Sequence, residues 1–325
     1  MRTSNTTASL AILYWFACVS MIAGLVACGG GGGGGSGGNG ISLPTGQVTI
    51  TQQNSLQVAG AAIDALYGGA TLAKTGKIPA PAPTAIAAIS VANIVQTAAQ
   101  QLIMQGAAPA TVTAAVQTIP CTFGGTETLN TTSPASGIVT YNNCSNVAGE
   151  TINGTMSLSN IISTPSYLSV DAYFNLTVTT VSPSNTLTAI GDMHLYLDAA
   201  TLTISGSSLA MGNTHPALGN LGLQNYSITT YSSGTITANF SFASTVINGT
   251  AVFTMSTPFA HDAAGLFPIS GIANIAGANS SVLKLTVLGN ENAVGNQVQF
   301  ELSTDGGANY AAPAYHTWAE ISSRI

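Results

Sequence analysis

The chain has 325 residues, of which only 5% are charged, and its formal net charge is -6 with a pI near 4.9. Ordinary globular domains carry about 25% charged residues, so Thr, Ser and Asn replace ion pairs as the water-facing groups. The cations are Arg2, Lys74, Lys77, Lys284 and Arg324. They leave no basic surface, which argues against nucleic acid and anionic headgroups as partners.

Residues 1–9 (MRTSNTTAS) contain one cation, Arg2, and Leu10–Ala27 contains no charge. These are the n-region and h-region of a secretory signal peptide over 1–27. The run ends in Leu25-Val26-Ala27-Cys28, which resembles the bacterial lipobox. The resemblance implies that Cys28 is thioether-lipidated, becomes the mature N-terminus and carries three acyl chains such as palmitate. An uncleaved anchor is the competing reading, because eighteen uncharged residues lie at the low end of the roughly 17–25 that span a bilayer. Such an anchor has no need of a cysteine at its end. Each buried methylene contributes about 0.8 kcal/mol and stable anchoring needs more than one chain, a requirement that three chains meet.

Residues 28–40 form the lipidated Cys and a Gly-rich tether, GGGGGGGSGGNG after Cys28. Glycine loses the most conformational entropy on ordering, so this tract favours neither helix nor packed strand. Fully extended it reaches about 40 Å, and as a flexible coil roughly 20 Å. The lipoprotein resemblance places Asp after the Cys in inner-membrane proteins. Gly29 stands there, which implies the outer membrane, on its periplasmic face or at the cell surface. Gly34-Gly35-Ser36-Gly37-Gly38 satisfies G-x-S-x-G, and the Gly run satisfies G-x-G-x-x-G. Both motifs need a strand before and a helix after, which the tether does not supply.

Residues 41–118 read as a short strand plus Ala-rich helices. QVTITQ (46–51) is strand-like, and Asn54 caps a helix to about Leu66 that Gly68-Gly69 ends. The loop KIPAPAP (77–83) leads to a second helix over 84–105, with Val91, Ile94, Val95, Ala98 and Leu102 at helical spacing. Residues 111–117 allow one further turn. This stripe is most simply a face packed on a sheet.

Of four cysteines, Cys18 leaves with the signal and Cys28 is lipidated. Cys121 and Cys144 remain as an even pair in an oxidising compartment, and a disulfide is the natural reading. A metal or redox pair would call for C-x-x-C spacing or a neighbouring His.

From Cys121 the period changes to two. Val170, Ala172, Phe174, Leu176 and Val178 alternate with polar residues, as do Ile236, Ala238, Phe240 and Phe242. Turn signals separate the strands and no helical pattern intervenes, so 119–325 reads as an antiparallel β domain of roughly ten to fourteen strands. A sheet of that size should curl or close, as a half-barrel or sandwich. Thr151-Ile152-Asn153-Gly154-Thr155 returns as Val246-Ile247-Asn248-Gly249-Thr250. That repeat suggests two related modules near 121–205 and 221–300, with Asn-Gly as a hairpin turn in both or as a bulge.

The succession of lipobox, Gly tether, Ala-rich helices, the segment Cys121, Gly124, Gly125, Asn142, Asn143, Cys144, then I-N-G-T and a closing Asp305 to Glu320 (D-G-G…T-W-A-E) resembles uncharacterised proteobacterial lipoproteins. The resemblance implies location and a β-rich fold, and no activity.

Two metal candidates stand out. Asp192 and His194, with Tyr196 and Asp198, share one strand face opposite the apolar Met193, Leu195 and Leu197, and Asp-x-His could orient an imidazole or begin a metal site. The competing reading is a plain solvent face. Asp305 and Asn309 resemble the remains of a Ca²⁺ loop, against a simple hairpin turn. His215, His261 and His316 stand apart, without a Ser or Cys in an activating local motif. No catalytic residues and no cofactor are read from this chain. The expectation is a non-enzymatic structural or binding lipoprotein acting through protein or glycan contacts. The alternative is a carrier holding a lipid or other apolar ligand in a curved sheet, which needs an apolar face left uncovered.

Overall fold

The computed structural model describes residues 40–71, 91–106, 115–133, 135–181, 184–214, 219–261, 268–289 and 297–322. The chain divides into two units, residues 1–40 and 41–325, and the fold below is that of the second. Residues 1–39, on which the expected signal peptide, Cys28 and the tether fall, the Pro-rich segment 77–83, residues 84–90 of the expected second helix, residues 111–114, His215 and the cations Lys74, Lys77 and Arg324 lie outside the described residues.

Fourteen strands make one antiparallel sheet in strict chain order. They are β1 (Ala115–Pro120), β2 (Thr126–Ser133), β3 (Ser136–Cys144), β4 (Glu150–Ser163), β5 (Tyr167–Val181), β6 (Ser184–Asp198), β7 (Thr201–Asn213), β8 (Leu221–Tyr231), β9 (Thr235–Ser244), β10 (Gly249–Ala260), β11 (Ser270–Ala276), β12 (Val282–Val287), β13 (Gln297–Ser303) and β14 (Ala314–Thr317). The sheet is open, since β1 and β14 do not pair with each other. β7 pairs with β8 through ten residue partners, so segments 121–205 and 221–300 run on as one meander.

The alternation is what builds this. In β5 the side chains of Leu168, Val170, Ala172, Phe174, Leu176 and Val178 are buried while Tyr173 and Asn175 are exposed. One face therefore goes inward and the other meets water. Among the described residues three helices, α1 (Ser55–Thr71), α2 (Val91–Gly106) and α3 (Trp318–Ser322), cover the inner face. α2 packs on β2, β3, β4 and β6, and α1 packs on β8 and β9. α3 follows β14 yet packs on α1, so the sheet must curl back towards its middle. Thr317 and Glu320 form a reciprocal capping box at α3, with the Thr317 amide donating to Glu320 Oε2 at 2.8 Å and the Glu320 amide to Thr317 Oγ1 at 3.2 Å. The helix buries Trp318 and Ile321.

Local expectations differ from the structure in four places. Gly68-Gly69 does not end α1, which continues to Thr71; packing overrides the propensity of two glycines. Residues 115–117 open β1 rather than adding a helical turn, because pairing with β2 supplies the backbone partners. Residues 46–51 make only one parallel bridge, Gln47 to Thr250. The two Asn-Gly pairs also diverge: Asn248 (φ 47°) sits in the β9–β10 turn, whereas Gly154 (φ 122°) lies inside β4 beside a register shift in its pairing with β3.

Residues 41–50 run along one end of the sheet, where odd strands connect to the following even ones. The Ser42 carbonyl accepts from Asn220 Nδ2 at 3.1 Å, the Val48 amide donates to Thr250 O at 3.0 Å, and the Ile50 amide donates to Ser281 Oγ at 2.9 Å. The glycines beneath leave the room. A Cβ on Gly222 would meet Leu43 Cδ1 at 2.5 Å, and one on Gly277 would meet the Val48 carbonyl oxygen at 2.3 Å. This strap crosses the β7–β8, β9–β10 and β11–β12 connections.

Candidate functional site

The outer face of β5 and β6 gathers the polar groups that the Asp-x-His pattern singles out, but in different pairings. His194 lies opposite Asp171 across the ladder, and its Nδ1–H donates to Asp171 Oδ1 at 2.5 Å. Asn160 Nδ2 donates to the other carboxylate oxygen at 2.6 Å. Burial would raise the Asp171 pKa, but the hydrogen bonds from Asn160 and His194 and the imidazolium charge outweigh it and hold the pKa below the ordinary value. An ionised carboxylate only accepts, so the imidazole proton resides on Nδ1. On its far side His194 pairs with Ser205 of β7. The row Asp171, His194, Ser205 thus carries the residue types of an acid–base relay across three strands. No hydrogen bond joins His194 to Ser205, and the Asp171 and His194 side chains are 40% and 44% exposed. Their pairing is therefore a water-screened contact worth about 1 kcal/mol or less.

Asp192 does not join this group. Its carboxylate accepts from the Ser207 amide (2.7 Å), the Ser207 hydroxyl (2.6 Å) and the Ser208 amide (2.9 Å), and Tyr226 donates to its backbone carbonyl at 2.6 Å. It ties β6 to β7 beside the register shift in their pairing. Asp198 turns onto the Ala200 and Thr201 amides, which hold its pKa below the ordinary value. Tyr196 stacks on Tyr167 with ring centroids 5.5 Å apart. Among the described residues no three His, Cys, Asp or Glu side chains converge as a metal ion would require.

The Asp305–Asn309 loop closes on itself. Asp305 Oδ1 accepts from Ser303 Oγ (2.6 Å) and the Asn309 amide (2.9 Å), and Oδ2 accepts from Asn309 Nδ2 (2.7 Å). These bonds, Ser303 first, hold the Asp305 pKa down at about 2. Asp305 spends both carboxylate oxygens on the turn, and Asn309 serves it as an N–H donor. His316 lies against Phe300 and 3.6 Å from Glu320. His261 Nδ1–H donates to Gly234 O at 3.1 Å, which leaves Nε2 of the neutral ring to accept from the Tyr67 hydroxyl at 2.7 Å. Lys284, the one cation among the described residues, pairs with Glu301 at 2.9 Å.

Cys121 and Cys144 form the expected disulfide, with Cα atoms 5.4 Å apart. Closing that loop stabilises the fold by about 3 kcal/mol in the chain-entropy model.

Acidic residues on the inner side were not singled out from the sequence. Asp64 of α1 is half-buried, and burial pushes its pKa up to about 7. Burial raises Glu127 and Glu150 as well, with one hydrogen bond from Gln101 at 3.4 Å opposing the effect at Glu127. Glu127 Oε1 and Glu150 Oε2 have no hydrogen-bond partner among the described residues. A signal for Glu127 existed, since it shares the strand phase of the inward Leu129.

No family model matches the chain, and neither a curated protein nor a solved structure is similar to it. No described helix is long and apolar enough to cross a membrane.

Proposed function

We propose that the chain is a lipoprotein held at the outer membrane through acylated Cys28, with a non-enzymatic structural or binding role exercised from the outer face of its sheet. One observation carries the choice over an apolar-ligand carrier, which is the occupancy of the inner face. Leu129, Phe174, Leu176, Phe242 and Phe253 from the sheet and Val58, Leu66, Val95 and Leu102 from the helices are all buried in a single cluster. A carrier needs apolar wall left for its ligand, and here the helices and strap take that place. The outer face offers Thr, Ser, Asn and Tyr groups that suit protein or glycan contacts.

The test is the mature N-terminus and its location. Mass spectrometry of the protein from its own cells should find a chain beginning at Cys28 with diacylglyceryl and amide-linked acyl groups, in the outer-membrane fraction. Cys28→Ser should move it out of that fraction. An unmodified cysteine, or an N-terminus elsewhere, would contradict the proposal.

A further inference from the structure

From the turns at the strap end of the sheet we infer a second, protein-built membrane contact, which rests on the Cys28 anchor reading. The β1–β2 connection, the β3–β4 connection and the end of β5 each expose a large apolar side chain: Phe123 at 61%, Val147 at 54% and Val181 at 71%. The turns are stitched into one rim. The Phe123 amide donates to Ser145 O (2.7 Å), the Ser145 amide to Gly124 O (2.9 Å) and the Val181 amide to Gly149 O (2.9 Å), while the Cys121–Cys144 disulfide ties the β1–β2 connection to the end of β3. Residues 121–125, 145–149 and 181–184 contain no charged side chain. Apolar side chains held out on hydrogen-bonded turns with no charged neighbours mark a lipid or protein contact.

The bilayer that carries the anchor is the occupant that the chain's path favours. Ile41 packs at Gly212 and Ser42 bonds Asn220, so the chain enters this unit beside the β7–β8 connection. That connection is bonded to the next one: Thr214 Oγ1 donates to Asn185 Oδ1 at 3.0 Å and accepts from the Thr186 amide at 2.9 Å. Cys28 lies twelve residues before Gly40, a reach of roughly 20 Å as a coil. The chain therefore enters this unit at the end of the sheet that carries the apolar rim. With no cations in the rim, the contact is with the neutral interfacial zone rather than with anionic headgroups. The tether then sets the search distance, and the rim sets the orientation that leaves the β5–β6 face free.

The experiment uses the full lipidated chain with Phe123→Trp in phosphatidylethanolamine vesicles doped with brominated lipid. The native Trp318 is buried, at 2% exposure, and gives the unquenched reference. Bromine should cut the emission of the indole at position 123 roughly twofold, the depth expected of an interfacial apolar group. Adding Val147→Asp and Val181→Asp should abolish that quenching while the chain stays vesicle-bound. Quenching that survives the two Asp substitutions overturns the inference, because the tether alone would then bring position 123 to lipid. An anchored chain with no quenching also overturns it and leaves the anchor reading intact; a dimer in the same sample would reassign the rim to a second copy. A chain with no acyl group that leaves the vesicles defeats both.

Discussion

The two faces of the one sheet treat the same residue type in opposite ways. On the inner side Asp64, Glu127 and Glu150 sit where burial raises their pKa values. On the outer face and in its turns, hydrogen bonds hold Asp171, Asp198 and Asp305 below the ordinary range. The inner face is dry because helices fill it, and its acids face desolvation with few partners. Outside, each acid closes a turn, pins a bulge or pairs across the ladder. Stability therefore resides on the inner face, and the outer face is free to vary for contacts.

The largest test of that contrast compares two neighbours on β5. Phe174→Ala, at a fully buried inner position, should cost about 3–5 kcal/mol by urea unfolding. Tyr173→Ser, one residue away and 62% exposed, should change stability by less than about 0.5 kcal/mol. Similar losses at both sites would break the distinction.

A second test uses pH. The folded-state pKa of Asp64, about 7 against an ordinary 3.8, is raised, so its contribution is fully present below about pH 4 and lost as pH climbs through 7. Asp64→Asn should leave stability at pH 4 nearly unchanged and raise it at pH 8 by up to about 4 kcal/mol. A flat difference across that range would mean the carboxyl finds water or a partner. The outer acids run the other way: Asp305 contributes above its unfolded pKa and is lost as pH falls through about 2.

Smaller effects follow at the strap and the ladder. Gly277→Val drives a side chain into the Val48 carbonyl and Ile50 and should cost about 2 kcal/mol, with hydrogen exchange rising first at the Val48 and Ile50 amides. Asp171→Asn keeps the shape of the outer pair and removes its charge. It should cost less than about 1 kcal/mol by urea unfolding.

The sheet was legible because a period of two is written into each strand, as in Val170 to Val178, and because strand connections without helical pattern leave only antiparallel neighbours. The disulfide was legible from cysteine number and from the expectation of an oxidising compartment. The strap was not: residues 41–50 have no period, and the glycines that receive them lie far along the chain, at Gly222 and Gly277. Nor was the Asp171–His194 pair, whose partners are 23 residues apart and meet only through the β5–β6 register. The Asp-x-His pattern pointed to the right strand and the wrong acid, since Asp192 is spent on Ser207 and Ser208. Asp64 had a signal in the helix LQVAGAAIDALYGG, apolar nearly all round and so bound to be buried.

The central claim is that the inner face is filled by the protein's own helices and that contacts are made from outside. Native mass spectrometry of the full chain, purified gently from its own cells, measures this most directly. The account predicts one mass, the chain from Cys28 with its covalent acyl groups. A stoichiometric, non-covalent lipid or other apolar mass that is lost on unfolding would contradict it and restore the carrier reading.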